Sequence, residues 1–200
     1  MRVPELRYRL PLFPLTTVLL PGALMPLHIF EERYRDMVEH CLSGNRRFGM
    51  VYHDWDEQGP FLSEVGRIGC VGEIREHQPL EDGRSLIVVE GVERFRIEDG
   101  IESDTAYFQA LVSALPDTTL MRGEELALRR KESIRLFHEV VASLSERPDE
   151  LPELEADQEI SYLLAQTIQV DPRWHQRLLE LTDEGSRLAR LDRVLRTVLD

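Results

Sequence analysis

Residues 10–39 read LPLFPLTTVLLPGALMPLHIFEERYRDMVE, and the fold prediction begins from this stretch. Between residues 10 and 30 it carries no Asp, Glu, Lys or Arg, so a hydropathy window would flag a signal peptide or a membrane span. It is interrupted by Pro11, Pro14, Pro21 and Pro26. Because each proline removes a backbone donor and blocks helix continuation, a spanning helix would leave polar groups unpaired in lipid. We therefore predict soluble β structure with turns here, and no membrane partner.

A helical pattern follows the uncharged segment. From residue 31 to residue 43 apolar side chains recur at helical spacing, and Gly44 supplies a stop. These apolar residues are Tyr34, Met37, Val38, Cys41 and Leu42. The sequence therefore predicts one helix inserted among strands.

The charged residues of this helix have a structural interpretation. Glu31 stands at the helix N-terminus, where negative charge meets the positive end of the helix dipole. We expect Arg33 or Arg35 to pair with a strand carboxylate such as Glu90 or Glu93.

Strand signals are dense between residues 47 and 115. Apolar runs and alternating patterns predict strands at 47–53, 65–76, 85–90 and 107–115.

Gly91 separates the run at 85–90 from another apolar alternation. A glycine here permits a bulge or a positive φ that turns one strand into the next. The alternation after it places Phe95 and Ile97 toward the interior and Arg94 and Arg96 toward the outside.

Glycine usage divides the chain. Ten of the twelve glycines precede Pro116, where they punctuate short strands, and the apolar period beyond this point is helical. Helices are predicted at 124–145, at 157–168, after Asp171-Pro172 and after Thr182, with an exposed loop at 146–156. The sequence predicts an α+β protein, with a β barrel or sandwich at residues 1–117 and a small helical bundle at 118–200.

The composition restricts the function. The 200 residues include 24 Lys and Arg against 37 Asp and Glu, for a net charge of −13. Because such a surface repels phosphate backbones, we expect neither nucleic acid nor anionic membrane as a partner. Cys41 and Cys70 stand far apart without a CxxC motif, which suits a reducing cytoplasm and suggests neither a zinc site nor a disulfide framework.

No catalytic or cofactor motif is found in the sequence. The phosphate-binding patterns GxxxxGK[ST] and GxGxxG, the GxSxG nucleophile elbow and the HExxH metal pattern are all missing. We predict no cofactor, no metal and no catalytic residue.

The best alternative to the prediction of no metal is a metal site in the polar loop that begins at Asp54. His53, Asp54 and Asp56 could share a divalent ion, with His77 as a further candidate ligand. A strand end that runs into a polar loop explains the same residues, and we favour that interpretation. Trp55 in this loop is interpreted equally as an exposed contact residue or as packing across a barrel mouth.

Three stretches of the first hundred residues resemble a known family when taken together. They are the opening segment at 10–39, EVGRIGCVGEI at 64–74 and VVEGVERFRI at 88–97. In this order and spacing they resemble the N-terminal, substrate-recognition domain of the Lon family of ATP-dependent proteases. The helical segment LTDEGSRLARLDRVL at 181–195 is similar to the part that follows in the family, but less specifically.

The resemblance implies a PUA-like pseudo-barrel followed by a helical bundle. Lon proteases continue into an ATPase module and a Ser-Lys protease module, whereas this sequence ends at Asp200 before either. We therefore expect a stand-alone, non-enzymatic Lon-type N-domain protein of bacteria, located in the cytoplasm.

The function expected from this resemblance is recognition of exposed apolar segments in unfolded or partly folded proteins. Such a module needs an uncovered apolar groove. We expect Leu19, Leu20, Met25, Trp55 and Phe61 to line it. A protease or chaperone as a working partner and a homodimer are left open.

Two alternatives stand beside this hypothesis. PUA-like folds often bind RNA, and Arg46, Arg47, Arg75 and Arg84 could form a local basic patch despite the overall charge. The second alternative is an enzyme with an unrecognised site at the candidate metal ligands named above.

Overall fold

A computed structural model describes residues 6–118, 120–121, 123–144 and 154–199. Within these ranges the chain is α+β, as predicted, with six strands and six helices. The elements in chain order are β1 (Arg7–Leu15), β2 (Leu24–Ile29), α1 (Glu32–Ser43), β3 (Arg47–Tyr52), α2 (Trp55–Gln58), β4 (Ile68–Pro79), β5 (Ser85–Ile101), β6 (Phe108–Ala114), α3 (Gly123–Leu144), α4 (Ser161–Thr167), α5 (Pro172–Leu179) and α6 (Glu184–Leu199).

The uncharged opening segment forms β structure, as predicted. It supplies most of β1 and all of β2, joined by a turn at Pro21 and Gly22. In the part of the chain that the structure describes, no helix combines the length and the apolar character needed to cross a membrane.

The chain divides into two compact units. The first comprises Met1–Pro116 and Asp171–Leu179, and the second comprises Asp117–Val170 and Glu180–Asp200. The prediction assigned all of 118–200 to a second domain, so it differs from the structure at α5. This helix belongs with the sheet because Gln176 Nε2 donates to the carbonyl of Ile68 at 3.0 Å.

One sheet organises the first unit. Its strand order is β2-β5-β4-β3-β1-β6, and β5 also pairs with β6. The second pairing closes five of the strands into a ring and leaves β2 as an edge strand, whose one partner among the described residues is β5. The β1–β3 pair is parallel and the other pairs are antiparallel.

The long strand β5 joins two runs that the sequence separates at Gly91. The predicted bulge is confirmed, since Glu93 pairs with Val71 and Gly91 pairs with Gly72, which leaves one extra residue on β5. A Cβ atom at Gly91 would overlap the carbonyl oxygen of Leu20. The missing side chain at Gly91 therefore allows the segment before β2 to cross close to the strand.

Phe95 lies at the centre of the ring and is fully buried, as the alternation predicts. Its ring rests on backbone, because a Cβ atom at Gly49 or at Gly69 would come within 2.6 Å of Phe95 Cζ. The Phe95 ring thus fills a gap where the neighbouring strands β3 and β4 carry glycine, at Gly49 and Gly69, and we call this gap the Phe95 slot.

Arg94 lies on the outer face of β5, as predicted, but it is not exposed to solvent. Its side chain is buried, and Nη1 donates to the carbonyl of Leu179 in α5 at 2.9 Å. The physical reason is that α5, distant in sequence, covers this part of the outer face of β5. Arg96 is half-buried.

Helix α1 agrees with its prediction and buries Tyr34, Met37, Val38 and Cys41. Burial raises the pKa of the Cys41 thiol to about 12, and its Sγ donates to the carbonyl of Arg47. The thiolate is the reactive form of cysteine, and a raised pKa keeps this thiol protonated. We therefore interpret Cys41 as an unreactive core residue.

The pairing expected of Arg33 or Arg35 with a strand carboxylate was wrong. Arg33 pairs with Glu31, the residue directly before its own helix, with Nη2 and Oε2 2.7 Å apart. Glu90 on β5 pairs instead with Arg75 on the neighbouring strand β4, with Arg75 Nε and Glu90 Oε2 2.6 Å apart.

Arg187 organises the second unit. It is fully buried, and its Nη1 and Nη2 donate to the two carboxylate oxygens of Asp117 at 2.9 and 2.5 Å. Nε donates to Ser161 Oγ at 2.7 Å, and Nη2 lies 3.3 Å from Glu159. One guanidinium therefore connects α4, α6 and the strand-to-helix connection. The loop predicted at 146–156 lies outside the described residues except for 154–156.

The Phe95 slot generates a double-mutant prediction. We expect Gly49→Ala to lower the free energy of unfolding by about 2 kcal/mol, because the new methyl group overlaps the Phe95 ring and Leu10. In Gly49→Ala/Phe95→Leu the smaller side chain relieves the overlap, so the two costs should fall short of additivity by about 1 kcal/mol. Urea titrations measure all three variants. Gly44→Ala, whose methyl group would meet nothing closer than 3.7 Å, is the control. Strict additivity would contradict the slot.

The Arg187 cluster generates a second prediction. Arg187→Met should lower the free energy of unfolding by about 3 kcal/mol, because Asp117 and Glu159 lose their common cation. Arg193→Met, an exposed site on the same helix, should change it by no more than about 0.5 kcal/mol. Urea titration followed by circular dichroism compares the two, and equal effects would refute the structural role of Arg187.

Candidate functional site

Three residues expected to line an apolar groove are in the interior. Leu19, Leu20 and Phe61 are 1, 2 and 4% exposed, so the prediction that they form an open groove was wrong. The carbonyl of Leu20 lies against Gly91, and the Leu19 side chain reaches Gly72. The ring of Phe61 packs on Phe108 at 4.8 Å.

The other two expected residues keep some access to solvent. Met25 is half-buried on β2, opposite the buried Val89. Trp55 is 37% exposed, and its ring meets the edge of the buried His53 ring at 4.5 Å. The guanidinium of Arg33 lies 5.9 Å from the Trp55 ring centre. Trp55 is thus packed on one side and open on the other.

The structure instead exposes an apolar surface on β2 and β5. Leu24, Phe30 and Leu86 are 65, 61 and 42% exposed. Alternate residues of a strand share one face, and the strand register sets Pro26 opposite Val88 and His28 opposite Leu86. We call the apolar surface formed by Leu24, Pro26, Phe30, Leu86 and Val88 the β2–β5 face.

Part of the β2–β5 face is concave. A groove of about 450 Å³ runs over it, and it is lined by Pro26, Leu27, His28, Glu76, His77, Gln78, Leu86, Ile87 and Val88. The groove is wide enough for side chains of another polypeptide, since ligand clefts are typically about 300–1,000 Å³.

Pro26 limits the backbone hydrogen bonds that the edge strand β2 can form with a further strand. Proline has no N–H, and antiparallel pairing with β5 directs the backbone nitrogen of Pro26 toward the free edge. A further strand added to β2 would therefore meet a missing donor at its centre.

The border of the face is polar. Glu90 lies opposite Leu24 and accepts a hydrogen bond from Arg75, which also pairs with Glu73. Glu76 lies opposite Val88 and makes no ion pair with any described residue.

Family comparison agrees with the motifs in the sequence. A family model for the ATP-dependent protease La (LON) substrate-binding domain matches residues 9–197. The chain belongs to this family. The Lon proteases of Dictyoglomus thermophilum and Cytophaga hutchinsonii are both 26% identical to it, over 94% and 89% of the chain. The chain spans 24% and 23% of their lengths, so it corresponds to about a quarter of each relative.

Two solved Lon N-terminal structures resemble this Lon-family domain over nearly its whole length. A Lon N-terminal domain protein from Xanthomonas campestris is 27% identical, with a TM-score of 0.66, covering 92% of this chain and 96% of that one. The N-terminal domain of a Mycobacterium avium complex Lon protease gives a TM-score of 0.69 at 16% identity, covering 94% and 98% of the two chains. The second likeness concerns the fold alone.

Two of the candidate metal ligands of this Lon-family domain, His53 and Asp54, have structural partners. His53 Nε2 bonds the carbonyl of Gly59 at 2.8 Å, and Asp54 accepts from the backbone of Asp56 and Glu57 to cap α2. The expected polar loop is thus a short helix. Within the described ranges, no group of three or more His, Cys, Asp and Glu is arranged to hold a metal ion. His77 lies on β4, opposite Ile87.

The four arginines proposed as a basic patch also have partners. Arg47 pairs with Glu73 at 2.8 Å, Arg75 with Glu90 at 2.6 Å and Arg84 with Asp82 at 2.5 Å. Arg46 donates to the carbonyl of Ile74 at 2.8 Å. The positive charge that a nucleic acid would require is therefore largely compensated at these positions.

The assignment of residues to surface and core is testable by stability. Leu24→Gln and Leu86→Gln should each change the free energy of unfolding by less than about 1 kcal/mol, because both side chains are exposed. Leu19→Ala should lower it by about 2–5 kcal/mol, because it opens a cavity. Urea titration of the three variants measures the difference. A large loss in Leu24→Gln would show that β2 is packed against something else.

Proposed function

We propose that this chain is a non-catalytic recognition module that binds apolar segments of unfolded or partly folded proteins through the β2–β5 face. The observation that carries the proposal is the exposure of Leu24 on β2, of Leu86 on the adjacent strand β5 and of Phe30 directly after β2. Contiguous exposed apolar side chains mark interaction surfaces in folded proteins.

The family and the fold support this proposal. The matching family is described as a substrate-binding domain. We further propose that the first unit is a PUA-like pseudo-barrel, which the closed order of five strands supports, and that α3, α4 and α6 form a helical bundle.

The setting of the module is part of the proposal. Because the relatives are named Lon protease, a protease is the first working partner to test, with a chaperone as the second. The two buried, free cysteines suit a reducing cytoplasm. The face also suits a second copy of the chain, so a homodimer is an alternative occupant.

Binding to an unfolded polypeptide is the direct test. The ligand is a fluorescently labelled protein whose disulfides have been reduced and carboxymethylated so that it cannot refold, and the native form of the same protein is the comparison. We expect saturable binding of the unfolded form alone, with micromolar affinity, in fluorescence anisotropy titrations.

The Leu24→Gln/Leu86→Gln variant locates the binding surface. Each lost apolar contact weakens binding by about 1 kcal/mol, because these side chains are only partly exposed to begin with. The affinity should fall at least tenfold. Leu128→Gln, an equally exposed leucine on α3, is the matched control and should bind like the wild type. Unchanged affinity in the double variant would place the binding site elsewhere.

Analytical ultracentrifugation of the protein without ligand tests whether a second copy of the chain occupies the β2–β5 face. A concentration-dependent dimer that Leu24→Gln/Leu86→Gln dissociates would assign the β2–β5 face to self-association. A monomer at all concentrations would leave the face open for client segments.

A further inference from the structure

The border of the β2–β5 face contains an acidic group that the fold itself does not use. Glu76 lines the groove beside Leu86 and Val88, and its carboxylate makes no hydrogen bond or ion pair with a described residue. A carboxylate beside an apolar groove attracts a cation carried by whatever occupies that groove.

The other charges near the groove do not offset Glu76. Arg75 bridges Glu73 and Glu90, and Arg47 also pairs with Glu73. These neighbours form their own network on β3, β4 and β5. His28 and His77 also line the groove.

The whole chain adds to the local effect. With a net charge of −13, its field repels acidic polypeptides and attracts basic ones at low ionic strength. Local and overall charge therefore favour the same kind of ligand.

We propose that the β2–β5 face selects apolar segments flanked by Lys or Arg over the same segments flanked by Asp or Glu, and that Glu76 supplies a local part of this specificity beyond that of the overall charge. The inference rests on the proposed function, because it concerns the ligand of the same face. Pro26 fixes the mode of contact, since the ligand meets side chains of the face and not the strand edge.

Three synthetic peptides test the inference. They share one apolar core of six residues and carry Lys, Gln or Glu on both flanks. Anisotropy titrations at pH 8 and about 50 mM salt should rank the affinities Lys above Gln above Glu, with about tenfold between the extremes. At about 500 mM salt the difference should shrink to about twofold, because exposed charges are screened.

Two protein variants separate the local effect from the overall charge. Glu76→Gln and Glu125→Gln remove one negative charge each, and Glu125 is an exposed carboxylate on α3. Glu76→Gln should reduce the difference between Lys and Glu flanks by about twofold to threefold. Glu125→Gln should leave it unchanged.

Each outcome decides a different statement. Absence of binding by all three peptides to the wild type would overturn the proposed function. Binding of the three peptides with equal affinity would overturn the charge preference alone. An identical response of Glu76→Gln and Glu125→Gln would overturn the role of Glu76.

Discussion

The packing of Phe95 against bare backbone is the constraint on which the first unit depends. Its ring lies where β3 and β4 present Gly49 and Gly69, and a methyl group at either position would overlap it. Interiors are close-packed, so such a slot tolerates little change in volume. The apolar core from β1, β3, β4, β5 and β6 assembles around this ring.

The course of β5 links this core to the surface. The part of β5 before Gly91 pairs with β4 on one side and with β2 on the other, so it extends beyond the ring of five strands. The close approach of Leu20 to Gly91 brings the chain across to begin β2. One side of this two-strand extension is covered by buried residues such as Ile29 and Val89. The other side is the β2–β5 face.

The sequence predicted more of the fold than of the site. Local patterns were sufficient for α1, for β3 and for the bulge at Gly91, because each depends on neighbours a few residues away. The prediction of the groove residues was wrong because apolar character alone does not distinguish buried leucines such as Leu19 and Leu20 from the exposed Leu24. Alternation through residues 24–30 was the available signal, since positions 24, 26, 28 and 30 share a face.

What the sequence determined by itself was the order of the strands and of every helix except the short α2, the acidic charge and the three family motifs, because periodicity, composition and motif spacing are written along the chain. Tertiary structure alone decided that α5 joins the sheet, that Arg94 is buried beneath it and that the β2–β5 face stays uncovered. These features depend on which distant segments meet. Burial is a property of such long-range contacts, and no local pattern encodes it.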